Sequence, residues 1–98
     1  MAQFDVYRTS HNALVVDCQA EFLSYLKTRF VVPLLPPELE PKIAERLNPV
    51  FLIEGSEHVF YPQFAASVPT KDLKDRVVSL SNEYLMIENA LDMLITGI

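Results

Sequence analysis

Cys18, His11 and His58 are the side chains of this sequence with the chemistry of a nucleophile, a proton shuttle or a soft metal ligand. Their spacing matches no zinc-ligand pattern and no cysteine-protease motif. Cys18 lies in an apolar, β-branched run and is expected to be a small buried hydrophobe, whereas His11 and His58 lie in or next to turns and are expected to be exposed. The carboxylate pairs Glu38/Glu40 and Glu54/Glu57 could do acid–base work only if desolvated or held by a fixed partner. Each lies in a loop marked by proline or glycine, so a solvated surface is expected instead. The only glycines are Gly55 and Gly97, which leaves no glycine-rich loop to cradle a phosphate. No catalytic residue, no metal site and no cofactor are expected, and the chemistry points toward binding.

Charge narrows the partners. The formal net charge is −5, and the eight basic residues are scattered from Arg8 to Arg76. Gripping phosphate backbones needs clustered Lys and Arg, so nucleic acid is expected to be reached only indirectly. An acidic chain is better suited to a protein partner with basic segments. Half of the 98 residues are hydrophobic, which is a high share for a chain with room for one small domain and proportionally much surface. Burial at an oligomer interface is the natural outlet. The single cysteine cannot form a disulfide within one chain, and a reducing compartment, the cytoplasm, is expected. Met1 to Tyr7 lacks the basic and apolar segments of a signal peptide, and the apolar stretch from Phe30 to Leu35 is broken by Pro33 and Pro36, so no membrane crossing is expected.

The elements that position these residues follow from periodicity. Gln3 to Arg8 and Ala13 to Cys18 read as two strands joined by a polar turn at Thr9 to Asn12, a hairpin. Arg29 to Leu35 reads as a third strand, with Pro33 expected at an edge or bulge rather than in a central position. The charged segment Pro36 to Pro49 reads as a surface excursion in which Pro41 could open one or two helical turns through Leu47. Pro49 to Ile53 and His58 to Phe64 flank the linker Glu54 to Glu57, predicting a hairpin in which Gly55 supplies positive φ. After Ala66 to Pro69, a charged turn at Lys71 to Asp75 leads into a short strand, Arg76 to Leu80. Ser81 is a candidate N-cap for a helix from about Asn82 to Ile95. The chain is thus expected to be mainly β with one C-terminal α-helix.

On a helical projection Tyr84, Met86, Ile87, Ala90, Leu91, Met93, Leu94 and Ile95 cover an arc of roughly 200°, about twice what one contact face needs. One side can cover the helix's own sheet. The other needs a second subunit or partner, unless the helix is sunk deeply in its own domain.

Several segments in order resemble the CcdB family of toxins from bacterial toxin–antitoxin modules: QFDVY (residues 3–7), VVDCQAEFL (15–23), RFVVPL (29–34), LNPV (47–50), ASVP (66–69) and the terminal ALDMLITGI (90–98). The resemblance runs over essentially the whole chain, 1–98, as one toxin domain. It implies an SH3-like antiparallel β-barrel and a two-fold dimer with the C-terminal helices near the axis, with Met86, Ala90, Met93 and Leu94 as the expected dimer contacts. It also implies the activity. The dimer would bind between the two A subunits of DNA gyrase and trap the enzyme on cleaved DNA, making and breaking no bond itself, and a cognate antitoxin would neutralise it.

Carried over position by position, the resemblance assigns gyrase contact to Ala20, Phe22 and Leu23 and to Asp92, Ile95, Thr96, Gly97 and Ile98. Antitoxin contact falls on the loop Arg8, Thr9, Ser10, His11 and Asn12. Phe22 and Leu23 could equally be ordinary core. The chain departs from the family at Thr96, where the best-known members place a tryptophan, the kind of broad anchor that dominates an interface. Weaker gyrase binding, a different gyrase surface, and compensation by neighbours such as Phe22 are all open. Two other functions compete: an RNA-cleaving toxin of the MazF/PemK type on the same kind of barrel, which needs a cationic groove and an acid–base pair, and an inactive dimerisation module derived from a toxin.

Overall fold

The sheet forms because short β-branched and aromatic runs alternate with turn residues. The computed structural model describes residues 2–98, so Met1 lies outside it. Seven strands, β1 (Asp5–Thr9), β2 (Leu14–Asp17), β3 (Thr28–Leu35), β4 (Val50–Ile53), β5 (Ser56–Phe60), β6 (Ala66–Pro69) and β7 (Leu73–Ser79), are followed by one helix, α1 (Tyr84–Thr96). All pairings are antiparallel, in the order β4-β5-β3-β2-β1-β7, with β6 also paired to β3. The result is a mainly β chain whose curled sheet makes a half-barrel, with one C-terminal helix.

Each face of the sheet carries an apolar cluster. On one face Val6, Val16, Val32, Leu34, Phe51, Ile53 and Phe60 pack with Ile87 and Ala90 of α1. On the other, Tyr7, Val15, Val31 and Leu73 form a smaller cluster against which Val68 packs. Phe51 and Phe60 meet edge to face at 6.1 Å between centroids. Phe4 joins the main core while its backbone takes φ 71°. It therefore belongs to a turn and not to the first strand, and burial of its ring, roughly 2–3 kcal/mol, offsets a left-handed cost of roughly 1–2 kcal/mol.

Several expected elements are redrawn. Pro33 sits in β3, an inner strand paired on both edges, and not at a sheet edge. The Cys18 N–H donates to the Phe30 carbonyl, so in the alternating antiparallel ladder Val15 and Pro33 form a non-bonded pair. The Pro33 nitrogen therefore faces the opposite edge, between the end of β6 at Ala66 and the start of β5 pairing at Phe60. Its missing N–H falls in the one gap of that ladder.

The excursion after β3 contains no helix through Leu47. Buried Asn48 organises it instead. The Asn48 Oδ1 accepts from the Ile43 N–H at 2.8 Å, and its Nδ2 donates to the Phe60 carbonyl at 3.1 Å and to Gln63 Oε1 at 3.0 Å. The second hairpin is tighter than expected: Ile53 pairs with Ser56, leaving only Glu54 and Gly55 in the turn, with φ of 52° and 83°. Both values are positive, as a type I′ turn requires, and Ser56 and Glu57 belong to β5. Tyr61 to Phe64 leaves the strand as a 3-10 turn at Pro62–Phe64, β6 is a strand in its own right, and β7 begins at Leu73 rather than Arg76.

Ser81 does not cap the helix. Residues Ser81–Glu83 form a 3-10 turn without a side-chain cap bond, and α1 starts at Tyr84. At the other end Gly97 takes φ 77° and its N–H donates to the Met93 carbonyl, the left-handed stop expected of this glycine.

Candidate functional site

Residues named from the sequence occupy three exposed segments. The first is the connection from β2 to β3. The Leu23, Ser24 and Leu26 N–H groups donate to the carbonyls of Ala20, Glu21 and Leu23, winding residues 20–26 into successive 3-10 turns. Side chains three apart eclipse in such turns, which places Phe22 and Tyr25 on one side, 86% and 75% exposed. Ala20 is exposed and Leu23 half-buried. Phe22 is therefore not core. Tyr25 and Leu26, exposed on the same connection, join this surface without having been expected there; an aromatic and a leucine in a polar connection without strand periodicity are the signal for them.

This connection stands on a buried ion pair. The Asp17 carboxylate and the Arg29 guanidinium are fully enclosed, with Arg29 Nε donating to Asp17 Oδ2 at 2.8 Å and Nη2 at 2.7 Å from the same oxygen. Asp17 opposes Val31, so Arg29 is its diagonal neighbour on the same face. Asp17 Oδ1 accepts from the Gln19 N–H at 3.1 Å, Gln19 Oε1 from the Phe30 N–H at 3.0 Å, and Gln19 Nε2 donates to the Leu23 carbonyl at 2.8 Å. The network locks both feet of the connection, so Phe22 projects from a rigid base. Spacing and motifs do not single out Asp17 and Arg29. Their signal is opposite charges set within two apolar strand runs.

The second segment is the end of α1. Ile95 and Ile98 are 75% and 74% exposed, and Asp92, Thr96 and Gly97 are exposed beside them. Thr96 Oγ1 donates to the Asp92 carbonyl at 2.7 Å and lies 3.4 Å from the Ile98 N–H that donates to it, so the tail is ordered locally. β7 ends beside Asp5, and Phe4 bridges Asp17 and Leu80 through its backbone, so α1 starts at the end of the sheet where the β2–β3 connection emerges. Its 13 residues then carry the tail about 20 Å from that start. Among the described residues no hydrogen bond or ion pair joins the two segments.

The third segment is the β1–β2 turn, at the opposite end of β2 from the first. Thr9 Oγ1 accepts from the His11 and Ala13 N–H groups at 3.3 and 3.1 Å, and Asn12 takes φ 63°, which asparagine tolerates. Arg8 Nη2 reaches Glu54 Oε1 at 3.1 Å, and the Ser10 N–H donates to the Asp72 carbonyl at 3.2 Å.

Of the residues with intrinsic chemistry, Cys18 is buried, and loss of hydration pushes its thiol far above the ordinary value, with the Asp17 carboxylate adding to the effect. It is a poor nucleophile in this state. His11 is exposed, while His58 is half-buried, against expectation, with Nδ1 3.0 Å from the Ser56 carbonyl. Among the described residues no three of the His, Cys, Asp and Glu side chains cluster as metal ligands would. Among the described residues no helix is long and apolar enough to cross a membrane.

Of the residues expected at a dimer interface, Met86 and Leu94 are exposed and Met93 is half-buried. Ala90 is fully enclosed by the chain's own core. It faces the sheet one turn from Ile87 and has no surface left for a second copy.

A curled antiparallel sheet backed by a C-terminal helix, with apolar side chains exposed on the β2–β3 connection and at the helix end, defines a small β-rich protein. The family comparison agrees with this class: the family model described as CcdB protein matches residues 3–97, and the chain belongs to the CcdB family, toxins of toxin–antitoxin modules.

Proposed function

We propose that this protein binds the A subunits of DNA gyrase as a cytoplasmic homodimer, traps the gyrase–DNA cleavage complex, and is neutralised by a cognate antitoxin, with no bond-making chemistry of its own. The observation that carries this reading is membership of the CcdB family over residues 3–97. Gyrase contact is assigned to Ala20, Phe22 and Leu23 and to Asp92, Ile95, Thr96, Gly97 and Ile98. Exposure of Phe22, Ile95 and Ile98 supports this, since large apolar side chains held in water by a rigid backbone are the anchors an interface uses. Antitoxin contact is assigned to Arg8, Thr9, Ser10, His11 and Asn12, and dimer contact to Met86, Met93 and Leu94.

Incubation of the purified protein with gyrase, ATP and supercoiled plasmid, followed by protein denaturation, is expected to yield linear DNA, and incubation with RNA no fragments. Removing Thr96, Gly97 and Ile98 is expected to abolish linear product and leave the melting temperature nearly unchanged, because none of the three packs on the core and only the helix stop is lost. Thr96→Trp is expected to lower the protein concentration needed by adding an aromatic anchor. Absence of linear DNA at any concentration, or RNA cleavage, overturns the gyrase reading. Full activity of the truncated chain removes the tail from the site.

A further inference from the structure

We propose that the groove lined by Leu26–Thr28 and Pro69–Lys71 is a docking site for an extended segment of a partner protein in which acidic and apolar residues alternate. Charge use singles it out. Arg8, Arg29, Lys42 and Arg76 are engaged by carboxylates of the chain. Among the described residues Lys27, Arg46, Lys71 and Lys74 have no such partner, and two of these four, Lys27 and Lys71, stand on this one groove, about 770 Å³ in volume. In a chain of net charge −5, two free ammonium groups on one groove make a local site for carboxylates.

The floor is complementary to the rest of such a segment. Leu26 and Pro69 supply apolar wall. The two lining segments are fixed to each other, because Thr28 pairs with Pro69 and the Thr70 N–H donates to the Lys27 carbonyl at 2.9 Å. Asp72, in the same turn, forms no ion pair with either lysine and instead gives its carbonyl to Ser10.

An extended segment suits the groove better than a metabolite. Lys27, Thr28, Pro69 and Lys71 are all exposed, so the groove is open along its length, whereas small-molecule sites enclose most of their ligand. The Ser10–Asp72 bond and the pairing of Thr9 with Leu73 also run the Thr70–Lys71 wall into the Arg8–Asn12 turn. A segment leaving that turn meets the groove next. The proposal rests on the antitoxin reading for the identity of the partner and for its path through the Arg8–Asn12 turn.

The test is an amide-shift titration of the isotope-labelled full chain with a decapeptide of alternating Leu and Glu, its Leu/Gln and Leu/Lys counterparts, and decanoate. Saturable shifts at Thr28, Thr70 and Lys71 with the Glu peptide are expected, weakening with salt. The Gln peptide is expected to bind about tenfold more weakly, and the Lys peptide not at all. Lys27→Ala with Lys71→Ala, two exposed changes whose fold is checked by the unchanged remainder of the spectrum, is expected to weaken the Glu peptide by about tenfold or more. Shifts confined to Phe22–Tyr25 or α1, binding indifferent to the double substitution, no binding, or binding of decanoate alone each overturn the proposal. The peptide result is independent of gyrase and antitoxin, so its failure and theirs are told apart.

Discussion

Arg29 and Asp17 show what a single buried pair decides. Removing water from both charges is expensive, and the geometry compensates only while both remain. Arg29→Ala leaves the Asp17 carboxylate enclosed and unpaired, and is expected to cost about 3–5 kcal/mol in urea unfolding. Asp17→Leu with Arg29→Met is expected to regain most of that loss, because apolar pairs of similar volume tolerate the site, while the Gln19 bond to Asp17 disappears and Phe22 loosens. Cys18 behaves differently. Up to its ordinary value of 9.0 the thiol keeps its proton in both folded and unfolded chains. Above it the unfolded chain ionises while burial holds the folded thiol protonated, so alkali favours unfolding. Tyr7, raised chiefly by burial and then by Asp5 and Asp17, and Tyr61, raised by burial and then by Glu40, add loss of the same sign above their ordinary 10.0. Stability is therefore expected to fall as pH rises above 9, and Cys18→Ala to flatten the first part of that fall in denaturation midpoints measured from pH 8 to 11.

At the scale of elements, turns and side chains set the boundaries that strand patterning left open. Glu54 occupies the first position of a turn that demands positive φ, a place where asparagine is better suited, and its ion pair with Arg8 is exposed. Surface pairs contribute little, so Glu54→Asn is expected to raise stability by about 0.5–1 kcal/mol in thermal or urea unfolding despite losing the pair. Strand periodicity placed β1, β2 and β3 to within a few residues, since alternation and β-branching act locally. It could not place Pro33, because whether a proline fits depends on which edge its nitrogen faces and what pairs there. Nor could it find Asn48, which replaces the expected helical turns by bonds to residues up to 15 positions away. The helix itself was legible from its apolar spacing and from Gly97. Its start was not, because Ser81 enters through a 3-10 turn rather than a cap.

For the whole molecule the matter is what covers the outer side of α1. Ile87 and Ala90 are enclosed by the chain's own sheet, while Tyr84, Leu85, Met86, Leu94 and Ile95 are exposed. These side chains do not share one face, since Leu94 follows Ala90 by one turn, but a chain this small leaves them uncovered, and they underlie the proposed homodimer. If folding and association are coupled, the melting temperature is expected to rise with protein concentration. Leu94→Glu is expected to give a monomer by sedimentation, with a melting temperature lower and independent of concentration. A monomeric parent chain at micromolar concentration would remove the dimer from the proposal.

The sequence by itself determined the β-rich class, the C-terminal helix, its glycine stop and the family, because these depend on local periodicity, backbone preference and ordered short motifs. Tertiary structure alone decided which apolar residues are core and which are surface. Phe22 and Ala90 carry the lesson: a phenylalanine stands 86% in water and an alanine of the helix arc is sealed inside. Exposure is fixed by the elements packed around a residue, so the Asp17–Arg29–Gln19 network and the Lys27–Lys71 groove came into being only when strands distant in sequence were paired.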